Sequence, residues 1–243
     1  WEEIQATSPE IQTGGTRGLR MGGNSMSDVI EYYNVESTGD TIDFGDLSEP
    51  RRAGSSVASR TRAVIAGGEE APAGIVNTIE FVTIASTGDA TNFGDLSAPA
   101  PIKYAMMAPV SNSTRGVFSG GYGTPGPFAN SNVMQYITIA STGDSINFGD
   151  LTYSTTNAGG CQSSTRGIVA GGQDPAYKNE INFITISTLG NAADFGDLTV
   201  ARRTVVGGSN AIRGLFAGGQ DTSPNADANV VNIIDYITIA TLG

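Results

Sequence analysis

The sequence predicts an all-β fold assembled from five copies of one antiparallel unit. Three observations carry this expectation. A phrase recurs, as "STGDTIDFGDL" at 37–47, "STGDATNFGDL" at 86–96, "STGDSINFGDL" at 141–151 and "TLGNAADFGDL" at 188–198, and a fifth copy opens as "TLG" at 241–243. Upstream of each stands an arginine-led run ending in a glycine pair: "TRGLRMGG", "TRAVIAGG", "TRGVFSGG", "TRGIVAGG" and "IRGLFAGG". Their arginines, Arg17, Arg62, Arg115, Arg166 and Arg213, are spaced by 45, 53, 51 and 47 residues. Finally, 33 glycines punctuate short runs of Thr, Ile, Val and aromatic residues, the vocabulary of short strands between tight turns.

A period of about 50 residues made of short strands predicts one four-stranded blade per repeat, and hence a five-bladed β-propeller. Strand a is a small-residue run such as "RAGSSVA" at 52–58, which suits a crowded central channel. A turn around "SRT" leads to strand b, "RAVIAGG". A variable loop leads to strand c, "NTIEFVTIA" at 77–85. There an aromatic keeps one register position across the copies: Tyr32, Phe81, Tyr136, Phe183 and Tyr236. "STGD" supplies a tight turn with glycine where positive φ is needed, and "TNFGDL" is strand d. The larger β-branched residues of b and c are expected to fill the space between blades.

The order Gly67-Gly68, then Phe81, then Phe93 twelve residues later resembles the kelch repeat. Gly120-Gly121 is the next copy of the pair, and the late aromatic position, usually Trp, is Phe44, Phe93, Phe148 and Phe195. The resemblance covers nearly the whole chain and implies structural roles for these residues. The wording "ITIASTGD…FGDL" is also similar to kelch-like repeats in virion proteins of marine bacteriophages, tail-associated ones included. That similarity implies a non-enzymatic component of a tail fibre or virion surface, located on the virion and thus extracellular. Its partner would be a host-surface glycan or protein, or a neighbouring virion subunit.

The fifth copy stops where its c–d turn begins. Trp1 stands 16 residues before Arg17, close to the 18 that separate Phe44 from Arg62. Trp1 is expected in the slot of Phe44, and Ile4 in that of Leu47, so the first residues would complete the last blade as its outer strand. The expected single domain has blades 6–48, 49–97, 98–152, 153–199, and 200–243 with 1–5. Pairing the chain ends removes unpaired strand edges. The alternative is an open solenoid of stacked repeats.

Composition excludes several function classes. The formal net charge is −11 and the only lysines are Lys103 and Lys178, a poor match to a phosphate backbone, so nucleic acid is not an expected partner. No histidine occurs, which removes His triads, His-ligated zinc and the copper site of kelch-fold oxidases. No loop carries a calcium-binding pattern, and no cofactor or metal is expected. No carboxylate pair stands out as catalytic, so no enzyme is expected. No apolar run reaches the roughly 18–20 residues of a membrane span. The single cysteine, Cys161, falls in an inner strand and is expected to be a buried thiol.

Strands alternate in direction, so the a–b and c–d turns share one face and the b–c and d–a loops share the other. The tight-turn face is nearly verbatim between copies; ion pairs are expected there between the repeated arginines and Asp40, Asp89 or Asp144, as structural features. The loop face varies, with "EEAPAG", "YGTPGPFANS", "QDPAY" and "QDTSPNADA" between b and c. Recognition is expected there. Tyr104, Tyr122, Phe128, Tyr153 and Tyr177 are its candidate contacts to sugar or protein. Arg51, Arg52, Arg202 and Arg203 are candidates to line the central opening, where they could hold an anion or satisfy one another. A cellular lectin-like or scaffold propeller is the alternative. It would repeat equivalent pockets around the ring, whereas these loops are unequal.

Overall fold

The computed structural model describes residues 16–97, 103–124, 129–222 and 230–241 of the 243. Five main antiparallel sheets follow one another along the chain, one per repeat, beside a sixth of two short strands, with no helix among the described residues. Sheet I contains Arg17–Met21, Ser27–Asn34 and Ile42–Arg52. Sheet II contains Ser55–Ala58, Arg62–Ala66, Thr78–Thr83 and Thr91–Asp95, hydrogen-bonded in that order. Sheet III repeats this with Ala108–Ser111, Arg115–Ser119, Ala129–Thr138 and Ile146–Thr155. Sheet IV does so with Gly159–Gln162, Arg166–Ala170, Glu180–Thr185 and Ala193–Asp197. Sheet V has Val206–Ser209, Arg213–Ala217 and Ile234–Thr238. The expected strand order a–b–c–d is therefore the order observed in sheets II, III and IV. The closing segment with Trp1 and Ile4, and the loop residue Phe128, lie outside the described residues.

The near-continuous apolar runs of strands b and c have a simple cause: both faces of a middle sheet are buried. Four apolar cores lie between successive sheets. Ile30, Phe44 and Leu47 of sheet I pack with Ile65, Val82 and Ile84 of sheet II. Val64, Ile79, Phe93 and Leu96 pack with Phe118, Ile137 and Ile139 of sheet III. Met134, Phe148 and Leu151 meet Val169, Ile184 and Ile186. Ile168, Ile181, Phe195 and Leu198 meet Phe216 and Ile239. Each fully buried side chain of this size contributes about 1.5–3 kcal/mol. The late phenylalanines stand edge-to-face on the strand-c aromatics of their own sheets, with ring centroids 5.9–6.1 Å apart in Tyr32–Phe44, Phe81–Phe93, Tyr136–Phe148 and Phe183–Phe195.

Backbone bonds join the sheets in register. The Gly88 amide donates to the Phe44 carbonyl at 2.7 Å and the Ala90 amide to the Asp46 carbonyl at 2.8 Å. The same pair of bonds recurs from Gly143 and Ser145 to Phe93 and Asp95, and from Gly190 and Ala192 to Phe148 and Asp150. The c–d turn of each unit thus grips strand d of the unit before it. On the other side, Ala53, Met106, Asn157 and Thr204 enter the strand-a segments with φ between 56° and 58°. The Met106 amide donates to Ala53 at 3.0 Å, Asn157 to Met106 at 3.2 Å and Thr204 to Asn157 at 2.8 Å, so four successive sheets are tied along one line. The glycine pairs also join units: Gly67 and Gly68 have φ of 60° and 103°, Gly120 and Gly121 of 65° and 104°. The Gly68 amide donates to Tyr104, and that of Gly121 to Thr155, in the segments entering sheets III and IV.

Candidate functional site

Hydrogen-bond accounting separates the two faces. On the tight-turn face four of the five repeated arginines both stack on a ring and bond to the next sheet. Arg17, Arg62, Arg115 and Arg166 stack over Tyr32, Phe81, Tyr136 and Phe183, with the guanidinium carbon 4.4–4.7 Å from the ring centroid. Each also donates to a carbonyl at the end of strand c in the next sheet: Arg17 to Ile84, Arg62 to Ile139 and Ala140, Arg115 to Ile186 and Arg166 to Ile239, at 2.8–3.1 Å. The expected Arg–Asp pairs do not form. Asp89 and Asp144 instead accept the backbone amides of Asp46 and Asp95, at 3.1 and 2.9 Å. The reason is geometric: the turn reaches back to the preceding sheet, while the arginine reaches forward to the following one.

The loop face holds a cavity of about 780 Å³. It is lined by Tyr122, Ala129 and Asn130 from the b–c loop of sheet III, and by Gln173, Asp174 and Pro175 from that of sheet IV. Met106, Thr156, Asn157 and Arg203 from the segments entering strand a, with Glu69, complete it. Short strand pairs brace these loops: Glu69–Glu70 with Gly74–Ile75, Lys103–Ala105 with Tyr122–Thr124, and Gln173–Asp174 with Ala176–Tyr177. Asn130 bridges two loops, donating from Nδ2 to the Gln173 carbonyl at 2.9 Å and to Asp174 Oδ1 at 3.2 Å.

Arg203 is the cationic group of this cavity. Its Nε donates to Gln220 Oε1 at 3.0 Å and its NH1 to Gln173 Oε1 at 2.6 Å, and its guanidinium carbon lies 5.2 Å from the centre of the Tyr177 ring. Thr156 is buried, and its Oγ1 has no hydrogen-bond partner. A buried hydroxyl left unpaired is costly unless something else satisfies it.

Of the residues expected to bind ligand, Tyr122 and Arg203 line this cavity and Tyr177 backs it. Arg52 lines an adjoining cavity of about 480 Å³ instead, its Nε bonded to Glu69 Oε2 at 2.7 Å. Four others have buried or largely buried side chains. Arg51 and Arg202 are 1% and 0% exposed; Arg51 borders the same second cavity as Arg52, but its guanidinium is turned inward. Arg51 pairs with Glu70 and Glu80 at 2.6 and 2.8 Å, and Arg202 with Asp235 at 2.9 Å. The acid on strand c draws the guanidinium inward in both cases. Tyr104 is buried in the core between sheets II and III, its hydroxyl 3.1 Å from Ser131 Oγ. Tyr153 donates its hydroxyl to the Gly171 and Glu180 carbonyls, and burial pushes its pKa up. A tyrosine in a loop segment reads the same in sequence whether its ring faces solvent or an inter-sheet gap. Phe128 is outside the described residues.

Sequence reasoning missed Asn130, Thr156, Asn157 and Gln173. They are small polar residues without a spacing signal, and only the loop geometry brings them together. Cys161 is buried as expected, and burial raises its thiol pKa to about 12. Among the described residues, no three His, Cys, Asp or Glu side chains converge as a metal site, and no helix is long and apolar enough to cross a membrane. The chain matches no protein-family model and no curated protein.

Proposed function

We propose that the chain is a five-bladed propeller acting as a non-enzymatic binding module of a phage virion, carried on a tail fibre or displayed on the particle surface. It recognises a host-surface saccharide through the loop-face cavity. The division of labour between the faces carries this reading. On the tight-turn face Arg17, Arg62, Arg115 and Arg166, with Asp89 and Asp144, are spent on sheet-to-sheet bonds. On the opposite face, unequal loops surround an irregular cavity that spans several units and holds several polar side chains. A lectin-like ring would present equivalent pockets in each repeat. Rigid sheets below and polar, aromatic-backed loops above suit recognition better than chemistry. The virion location rests on the wording of the repeats.

Two features of the end sheets support closure of the ring. Ile234 of sheet V is 66% exposed, whereas its register equivalents Ile30, Ile79, Met134 and Ile181 are buried. Leu215 and Tyr236 are exposed on the same sheet, as are Tyr33 and Val35 at the other end, beside sheet I. These faces are the two halves of the interface that successive sheets make elsewhere. Met21 and Asn24 of sheet I line one cavity of about 480 Å³ together with Val205 and Val206 of sheet V, which is consistent with closure.

The functional reading is tested by antibody labelling of purified particles by electron microscopy, followed by a glycan array with the isolated chain. Label on the particle exterior with saccharide binding supports it. Label confined to the interior, with an empty array, would falsify it.

A further inference from the structure

We infer that the loop-face cavity is selective for carboxylate-bearing saccharides, with Arg203 as the group that receives the carboxylate. This rests on the reading of that face as a saccharide site. The argument comes from a comparison internal to the repeat. Arg52 and Arg203 occupy equivalent places before strand a, and each is paired across the backbone with the residue following a glycine pair, Glu69 for Arg52 and Gln220 for Arg203. At the first place the pair is an ion pair, Arg52 with Glu69. At the second the acid is replaced by its neutral amide, so Arg203 is held by Gln220 and by Gln173, neither of which cancels its charge.

Among the described residues no carboxylate lies within ion-pair distance of Arg203. The three other arginines at these two places before strand a, Arg51, Arg52 and Arg202, each have an acid partner. The two acids that line the cavity are already engaged: Glu69 by Arg52, and Asp174 by Asn130. Two amide oxygens and the Tyr177 face fix the guanidinium's position without neutralising it, which leaves a planar donor fork for a carboxylate. Asn130 and Asn157, which line the cavity beside Arg203, supply amide contacts for the hydroxyls of a saccharide. The same Glu69 and Asp174 make a densely charged polyanion a poor fit, so isolated carboxylates on a sugar chain are favoured over an acidic peptide run.

The experiment uses an array of uronic-acid and sialylated oligosaccharides, their methyl esters as neutral counterparts, and a Glu-rich peptide. Wild type is compared with Arg203→Gln and Gln220→Glu. The second variant restores the ion pair of the Arg52 type, so it neutralises Arg203 while leaving the guanidinium in place and the fold supported. The expected result is binding of the acids, and a loss of about tenfold or more for the methyl esters and for both variants. Esters binding as well as acids, or variants binding as well as wild type, overturn the assignment of Arg203 while saccharide binding stands. Peptide binding in place of saccharide overturns the choice of ligand class. No binding to any probe overturns both this inference and the saccharide reading beneath it.

Discussion

The carbonyl group of Gly88 stands where a Cβ on Gly45 would have to be, 2.5 Å away. The two glycines belong to consecutive units. Gly45 is in the "FGD" strand of one and Gly88 in the "STGD" turn of the next, and their contact is framed by the bonds from Gly88 and Ala90 to Phe44 and Asp46. The repeated phrase is therefore a clasp whose two halves are read in different units.

Gly94 and Gly143 form the next copy and allow a controlled test. Both have φ of 151°, so alanine at either is strained by about 1–3 kcal/mol. Only at Gly94 does the new Cβ also collide with backbone, that of Gly143; at Gly143 it meets open space. Gly94→Ala is expected to lower stability clearly more than Gly143→Ala in urea unfolding. Equal losses would show that the clasp contact is immaterial.

Asp89 and its counterpart Asn191 show what the turn's last residue must supply. Asp89 Oδ1 accepts the Asp46 amide and Asn191 Oδ1 the Asp150 amide, at 3.1 and 3.0 Å. An acceptor is needed, not a charge. Asp89→Asn is expected to be neutral in thermal unfolding and Asp89→Ala to cost about 1 kcal/mol. A large loss with Asn would point to a role for the charge.

Arg62 lies over Phe81 and donates to Ile139 and Ala140. Arg62→Ala is expected to cost about 2 kcal/mol, from a cation–π contact and charge-assisted hydrogen bonds. Arg62→Lys recovers only part, because an ammonium cannot stack flat and reach both carbonyls. Neither partner is an ion, so the Tm difference should persist in 1 M salt. Its disappearance in salt would restore the ion-pair expectation.

The repeat period made the strand order legible, and the late phenylalanines were legible from their fixed spacing. Both signals are local. The direction in which a side chain leaves its sheet was not legible where two sheets compete for it. Arg51 and Arg52 are adjacent in sequence, yet one is sealed between Glu70 and Glu80 and the other is half-exposed beside Glu69. Tyr104 and Tyr122 read alike as loop aromatics, but one fills a core and the other lines the cavity. The cavity assembles residues from four units, a proximity that no window of sequence contains.

Cys161 makes stability fall in alkali. Its pKa is raised by burial from 9.0 to about 12, so between those values the unfolded chain loses the thiol proton while the native chain keeps it. Unfolding is then favoured as pH rises, by at most about 1.4 kcal/mol per unit. Below pH 9 both states are protonated and the contribution vanishes. Tyr153 adds the same sign above its ordinary value of 10.0. Cys161→Ala is therefore expected to flatten the stability profile between pH 9 and 10. In the native protein the thiol should not react with a disulfide reagent at pH 8. Prompt labelling, or an unchanged slope in the variant, would contradict a buried protonated thiol.

Closure of the ring turns on Leu215. Its register equivalents Val64, Val117 and Ile168 are buried, and Leu215 is exposed. If sheet I packs against sheet V in solution, Leu215 enters a core and a carboxylate there must be desolvated without a partner. Leu215→Glu should then cost several kcal/mol, as buried unpaired charges do. If the face stays open, the same change is a surface substitution within about 0.5 kcal/mol. Ile168→Glu gives the scale of a truly buried site. Deleting residues 1–5 separates strand addition from face packing: with the proposed closure it lowers the Tm and exposes the strand Ile234–Thr238 to edge pairing, so self-association appears in sedimentation. A tolerated Leu215→Glu, together with an unchanged, monomeric deletion variant, would leave the five sheets as an open arc.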